Sequence, residues 1–138
     1  MSLCVVIVSY RTGPALHACL DSLRNAAGVD DIALVDNGNA EAETKAIAAF
    51  AASDPRVRVL RGHGNIGFAA GCNTGGGSAR TEILVFANPD VVFEPDAFTR
   101  LQAALEAAPP PAIVGGDLRD DRGRPERGSR RERLTLWR

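Results

Sequence analysis

Short continuous runs of apolar residues alternate along this chain with longer stretches in which apolar residues recur every three or four positions. The first run, Leu3 to Val8, is rich in β-branched residues and predicts a central strand. The next stretch predicts a helix that is capped by Thr12 or Gly13, starts at Pro14 and stops at Gly28. Its apolar face consists of Leu16, Cys19, Leu20 and Leu23.

The alternation of strands and helices continues to about residue 114. Further strands are predicted at 32–35, 57–60 and 83–87, with a weak one at 112–114. Helices are predicted from about residue 41, from 68 to 80, and after 94–96. Arg alternates with apolar residues in 57–60, which places that strand nearer an edge of the sheet. Repeated strand–helix units predict an α/β sandwich with a mainly parallel sheet.

The stretch from Gly62 to Asp90 carries the strongest chemical signal. A Gly-rich turn and a helix of small residues lead into Ile83 to Ala87, which has the length and composition of a buried parallel strand. Pro89 should end that strand and leave Asp90 just past its carboxyl end, where open α/β sheets bind ligands. A carboxylate there suits a divalent metal on a phosphorylated ligand. Alternatively, Asn-Pro-Asp forms a simple turn.

Composition limits the function classes. A chain of 138 residues is one domain, and its net charge of −1 gives no general attraction to nucleic acid. The first apolar run is too short for a signal peptide or a membrane span, so we expect a cytoplasmic protein. Cys4, Cys19 and Cys72 match no zinc or redox motif and are expected to be small buried residues in a reducing compartment.

Two common phosphate-binding motifs are absent from the sequence. The turn after the first strand reads Ser-Tyr-Arg-Thr-Gly-Pro, which is not the G-x-G-x-x-G of dinucleotide-binding domains. No Gly-Lys-Ser or Gly-Lys-Thr occurs, so there is no Walker A loop. Phosphate must therefore be held differently, and a metal at Asp90 is the natural substitute.

Four segments together resemble the N-terminal half of family 2 glycosyltransferases, and within them the rhamnosyltransferase-like group. They read Val-Ile-Val-Ser-Tyr at 6–10, Val-Asp-Asn-Gly-Asn at 35–39, Asn-Ile-Gly-Phe-Ala-Ala-Gly-Cys-Asn at 65–73 and Asn-Pro-Asp-Val at 88–91. The resemblance covers roughly residues 4–117. It implies the GT-A fold, a Rossmann-like three-layer sandwich, truncated here on its C-terminal side, with 1–116 as the nucleotide-sugar-binding half-domain.

The resemblance also assigns residues to the donor sugar nucleotide. They are Ser9, Tyr10, Asp36, Asn37, Asn65, Gly67, Phe68, Asn73 and Asn88. Ser9 and Tyr10 would line the nucleoside pocket, Asp36 would accept a hydrogen bond from the base, and Asn65, Gly67 and Phe68 would shape the diphosphate and ribose side. Three simpler alternatives stay open: Asp36 as a cap or turn former, Phe68 as a core residue, and Asn73 as a buried amide that caps a neighbouring loop.

Asn88-Pro89-Asp90 stands where the family carries its Asp-x-Asp metal motif. The first position is Asn here, so Asp90 alone would bind the metal, Mg or Mn, or the ribose. We expect His17 to be a solvated helix residue and His63 to be exposed, with neither taking part.

The implied reaction is the inverting transfer of a sugar from a UDP- or dTDP-linked donor to a hydroxyl of a glycan or lipid-linked acceptor. The catalytic base is expected beyond the chain end, in an acceptor-binding segment. A non-catalytic nucleotide-sugar-binding module is therefore an alternative. A sugar-1-phosphate nucleotidyltransferase fits less well, because Arg11-Thr12-Gly13 is a poor version of the Gly-rich loop it needs.

Residues 117–138 are rich in arginine and read as a mobile, solvated linker to the acceptor region. Seven Arg against five acids over Asp117 to Arg133 is only modestly basic. Peripheral attraction to an anionic membrane or to a partner subunit is the alternative. Leu134, Leu136 and Trp137 could begin an amphipathic helix, and a homodimer could cover apolar surface left by the missing region.

Overall fold

A four-stranded parallel sheet forms the centre of the protein in the computed structural model, which describes residues 1–126. The strands are β1 (Leu3–Ser9), β2 (Asp31–Asp36), β3 (Val57–Leu60) and β4 (Ile83–Ala87). The helices are α1 (Ala15–Arg24), α2 (Glu41–Ser53), α3 (Phe68–Ser78) and α4 (Ala97–Ala107). The chain divides into two compact units, 1–99 and 100–138, and the sheet lies in the first.

The strand order β3-β2-β1-β4 explains the continuous apolar runs of the two central strands. Every residue of β1 is buried, and so are the last five residues of β2. A strand that is covered on both faces needs apolar residues at every position instead of alternate ones. The predicted parallel α/β architecture is thus confirmed, and β3 lies at an edge, as the arginines in its sequence indicated.

The prediction that Ile83 to Ala87 is a buried strand was wrong in one respect. β4 pairs with β1 in parallel, but it lies at the other edge of the sheet that the structure describes. Leu84 and Phe86 remain 40% and 51% exposed. A short apolar run has the same composition at the edge as in the centre, so periodicity could not distinguish the two positions.

Helix α1 begins one residue later than its sequence predicted. Pro14 occupies the N-cap position without any side-chain cap hydrogen bond, and the helix ends at Arg24, well before Gly28. Thr12 does not cap the helix; its Oγ1 lies 2.9 Å from the Ser9 Oγ, and its N–H donates to Asn39. The predicted apolar face of α1 is buried.

Helix α3 packs closely on β1 and β2 because its sheet-facing positions are glycines. A Cβ at Gly71 would approach the Val8 side chain to 2.7 Å, and one at Gly75 would overlap the Val6 side chain. Both glycines are buried. The small residues therefore set the distance between helix and sheet.

The predicted fifth strand at 112–114 does not form, and Ile113 is 99% exposed. Residues 119–125 close a tight turn in which the Asp120 carboxylate accepts hydrogen bonds from the backbone N–H groups of Arg122 and Arg124. The predictions for residues 127–138, including the helix at Leu134, Leu136 and Trp137, lie outside the described residues. Within 1–126, no helix combines the length and apolar character that a membrane span requires.

Two of the three cysteines are fully buried, as expected for small core residues. Burial is the main cause that raises the pKa of the Cys4 thiol to about 11 and that of the Cys19 thiol to about 12. Cys72 is only half-buried, and all three thiols are free. At neutral pH the two buried thiols are protonated and therefore poor nucleophiles.

Candidate active site at the carboxyl edge of the sheet

The segments that follow β1, β2 and β4 meet at one edge of the sheet. Ser9 pairs with Asp36, and Ile7 pairs with Ala87, so the three strands end at nearly the same level. Parallel strands necessarily have their carboxyl ends at the same edge, which is where open α/β sheets bind ligands. The structure therefore brings together the predicted residues Ser9, Asp36 and Asn88.

Ser9 and Asn39 hold the turns after β1 and β2 together. The buried Ser9 Oγ donates to the Asn39 Oδ1 at 3.0 Å, while the Asn39 Nδ2 donates to the Ser9 carbonyl and to the Asp36 Oδ1 at 3.3 and 2.7 Å. Sequence reasoning assigned no role to Asn39, although it stands in the Asp-Asn-Gly-Asn segment. Side-chain amides that bond to nearby backbone are typical of such turns.

The Asp36 carboxylate orders its own turn. Its Oδ1 accepts hydrogen bonds from the Gly38 N–H at 3.0 Å and from the Asn39 side chain, and the residue is only 8% exposed. The turn-forming alternative for Asp36 is thus observed in the structure. The Oδ2 atom makes no hydrogen bond within the described residues, so the predicted contact with a base stays a prediction.

Asn37 joins the end of β2 to the Gly-rich turn, and its side chain also contacts His63. The buried Asn37 donates through Nδ2 to the Gly67 carbonyl at 3.1 Å, and its Oδ1 lies 3.1 Å from His63 Nε2. His63 is half-buried. The expectation that His63 is exposed and without a partner was therefore wrong, because only the fold brings it next to Asn37.

The Gly-rich turn has a backbone conformation that needs glycine. Gly67 precedes α3 with a φ of 83°, and its N–H bonds to the Asn65 side chain at 3.0 Å. Phe68 then follows with 57% of its surface exposed, which excludes the core-residue alternative. Asn73 is exposed on the side of α3 away from Gly71 and Gly75, which excludes the buried-amide alternative.

A cavity of about 600 Å³ opens between the turns that follow β1 and β2. It is lined by Tyr10, Arg11, Gly13, Gly38, Asn39, Ala40 and Glu43. The Tyr10 ring is half-exposed and carries the Arg11 guanidinium 5.4 Å from its centroid. The volume is within the usual range for small-molecule sites. Of the predicted donor residues, only Tyr10 lines this cavity.

Asp90 lies in the turn that follows β4, as predicted. The Asn88 carbonyl accepts hydrogen bonds from the Cys19 Sγ at 3.9 Å and from the Val91 N–H at 3.4 Å. The Asp90 side chain is exposed, and its charge helps to raise the pKa of Cys19 after the effect of burial.

The residues around Asp90 can bind a metal ion only together with a ligand that supplies further oxygen atoms. Within residues 1–126, no group of three or more His, Cys, Asp or Glu side chains is placed to hold an ion. A single carboxylate suits Mg²⁺ or Mn²⁺ only when a ligand supplies further oxygens, as a diphosphate does. The residues therefore fit a cation that arrives with a phosphorylated ligand.

The fold and this site define an α/β protein with a cavity at the carboxyl edge of a parallel sheet. The sequence profile of Glycosyl transferase family 2 matches residues 4–137, and the chain belongs to that family. It is 32% identical over 93 residues to a Bacillus subtilis (strain 168) protein that carries the name glycosyltransferase EpsH. That match covers 67% of this chain but 27% of the relative, so the chain spans about a quarter of its length.

Solved glycosyltransferase structures share the fold. The mannosyltransferase PcManGT from Pyrobaculum calidifontis, in complex with GDP-Man and Mn²⁺, superposes with a TM-score of 0.72 at 20% identity. The match covers 87% of this chain and 36% of that one. S. aureus TarS 1-349 in complex with UDP-GlcNAc gives a TM-score of 0.67 at 15% identity over 77% of this chain and 31% of that one. The GT-A fold expected from the sequence is thereby confirmed.

Proposed function

We propose that this chain binds the nucleoside diphosphate sugar of a family 2 glycosyltransferase at the carboxyl edge of its sheet. The observation that carries the proposal is the cavity between the turns after β1 and β2, with Tyr10 on its wall and the bonded Ser9, Asp36 and Asn39 behind it. Solved structures of the same fold contain UDP, UDP-GlcNAc or GDP-Man. The volume of the cavity is in the range of small-molecule sites, and it lies at the edge where open α/β sheets bind ligands, which supports the proposal.

The proposed roles follow from where each side chain lies. Tyr10 provides an apolar ring for the base, and the hydrogen bonds of Ser9 fix the turn that presents it. Asn37, held by His63, keeps the Gly67 turn at the same edge, where backbone can approach the diphosphate closely. Preorganised turns reduce the entropy lost when the ligand binds.

Asp90 would supply the protein's carboxylate to a divalent cation that also binds the diphosphate. When bound, such a cation supplies charge neutralisation for the leaving diphosphate. Asp90 itself would hold the diphosphate of the donor at the end of β4. The cavity proposed for the nucleoside lies on the other side of β1, between the turns that follow β1 and β2.

The complete reaction is proposed to be inverting transfer of a hexosyl or rhamnosyl unit to a hydroxyl of a glycan or lipid-linked acceptor. A general base takes the acceptor proton in such a step. None of the carboxylates within residues 1–126 is assigned as this catalytic base. A nucleotide-sugar-binding module that does not catalyse transfer is the second candidate, and donor hydrolysis by the chain would argue against it.

Calorimetric titration with GDP, UDP and dTDP, with and without Mn²⁺, tests the proposal. We expect one diphosphate to bind in the presence of Mn²⁺, and Asp90→Ala to weaken that binding about tenfold or more, since it removes a charged metal ligand. Asp21→Ala on the exposed face of α1 is the matched control and should bind as the unmodified chain does. Absence of binding to folded protein would refute the proposed donor site.

A further inference from the structure

Glu43 is a buried carboxylate that the proposed function does not yet use. It stands in the first turn of α2 and lines the cavity after β1 and β2, and the residue is only 7% exposed. Within residues 1–126 its side chain forms no hydrogen bond or ion pair, in contrast to the side chain of Glu41 on the same turn, which pairs with Lys45. A carboxylate without a protein partner needs water or a ligand at its oxygens, so the surroundings of those oxygens decide what Glu43 can do.

The carboxylate oxygens of Glu43 can be placed from two observations. Within the described residues, every fully buried side-chain oxygen or nitrogen has a hydrogen-bond partner. The Glu43 oxygens have none, so they must retain contact with solvent. Because the residue is otherwise buried and lines the cavity, the cavity is where that contact occurs.

The side-chain amide that lines the cavity is already engaged. Asn39 uses both atoms of its amide with Ser9, Thr12 and Asp36. The Arg11 guanidinium lies over the Tyr10 ring and forms no ion pair with Glu43. Glu43 is therefore the carboxylate that this cavity offers to a ligand, with two acceptor oxygens side by side.

We propose that Glu43 reads the base of the donor nucleotide and selects guanine. The inference rests on the proposed function, because it identifies the base that occupies the same cavity. A carboxylate only accepts hydrogen bonds, and its two oxygens match two adjacent donors. Guanine presents such a pair on its Watson–Crick edge, the N1–H and the N2 amino group.

The other bases do not match a buried carboxylate. Uracil and thymine offer one N3–H between two carbonyl oxygens, which would face the negative charge. Adenine and cytosine each place an amino group beside a ring nitrogen that is an acceptor. With any of these bases one Glu43 oxygen would meet a lone pair in place of a donor, and sites with buried polar groups left unpaired discriminate strongly.

Titration of the 138-residue chain in Mn²⁺ with a set of diphosphates tests this selection. We expect GDP to bind about tenfold more tightly than IDP, which lacks the N2 amino group, and more tightly than UDP, dTDP or ADP. Glu43→Gln should reverse the preference toward xanthosine diphosphate, because the new amide N–H can donate to the C2 carbonyl of xanthine. Glu41→Gln is the matched control on the same helical turn and should leave every affinity unchanged.

The outcomes separate this inference from the proposed function. Tighter binding of a pyrimidine diphosphate, or an unchanged GDP preference in Glu43→Gln, would refute guanine selection and leave the donor site standing. If no nucleotide binds to the folded chain, both fail together. A purely structural role of Glu43 at the start of α2 would lower stability in Glu43→Gln without any reversal between GDP and xanthosine diphosphate. If that variant does not fold, the ratio of GDP to IDP affinity in the unmodified chain decides.

Discussion

Single side chains join segments that are distant in the sequence, and Arg56 shows this most directly. Its guanidinium makes a bidentate pair with Asp54 at 3.0 and 2.7 Å and donates to the carbonyls of Leu23 and Val29 at 3.2 Å. One residue thus fixes the end of α1 and the approach to β2. Asp54 is buried, so the pair is poorly screened by solvent.

Replacing Arg56 by alanine should cost about 3 kcal/mol of unfolding free energy, because the buried Asp54 carboxylate loses its charged partner and four backbone carbonyls lose a donor. Urea unfolding followed by circular dichroism measures the change. Arg80→Ala is the control, since the Arg80 side chain is exposed and makes no hydrogen bond within residues 1–126; it should stay within about 0.5 kcal/mol of the unmodified chain. Equal effects of the two substitutions would contradict this account.

The candidate site was predicted unevenly at the residue scale. Asp90 was predicted from its place just past the end of a strand, and Asp36 and Asn37 were predicted from the resemblance to the family. His63 and Glu43 were missed, because their importance comes from a neighbour 26 residues away in one case and from burial beside a cavity in the other. Local pattern contains no information on either.

At the scale of elements, the contact of α3 with the sheet depends on the absence of side chains. Gly71 and Gly75 face Val8 and Val6, so the helix approaches more closely than alanine would permit. The sequence predicted this helix from its small residues, and the structure gives the reason for them. The position of β4 at the edge was decided by pairing, which composition could not show.

Gly75→Ala should destabilise the protein by about 1–3 kcal/mol, because the added methyl group overlaps Val6 and lies 3.2 Å from Val35. The methyl group would improve helix propensity, but by only about 1 kcal/mol. Gly77→Ala on the same helix has no atom within 4 Å of the new Cβ and should be stabilising by up to that amount. Thermal or urea unfolding of the pair provides the test, and stabilisation by both substitutions would show that the helix can move away from the sheet without cost.

At the scale of the whole molecule, two ion pairs make the free energy of unfolding depend on pH in the acidic range. Hydrogen bonds from Arg58 lower the pKa of Asp31, and hydrogen bonds from Arg56 lower the pKa of Asp54. Each carboxyl therefore binds its proton more readily in the unfolded chain than in the folded one. The stability they contribute is complete above the unfolded pKa, near 4, and is lost as the pH falls through the lower folded values.

Unfolding free energy measured by urea titration between pH 7 and pH 3 should therefore fall below about pH 4. Asp54→Asn should be less stable at pH 7 but show a shallower decline in acid, because one of the two linked protons is gone. Asp21→Asn, which changes an exposed side chain on α1, should follow the unmodified chain. An identical slope in Asp54→Asn would show that this pair does not contribute to acid sensitivity.

The sequence by itself determined the order and type of the elements up to the end of α4, the parallel sheet and the family. The elements follow from apolar periodicity and turn residues, and the family follows from the resemblance of four short segments; all of these are local properties. Only the tertiary structure decided, within residues 1–126, that β4 is an edge, that Asn39 and His63 join the turns of the candidate site, and that the Glu43 side chain lines the cavity without a hydrogen-bond partner. Burial, pairing and cavities arise between residues far apart in the chain, so no local pattern specifies them.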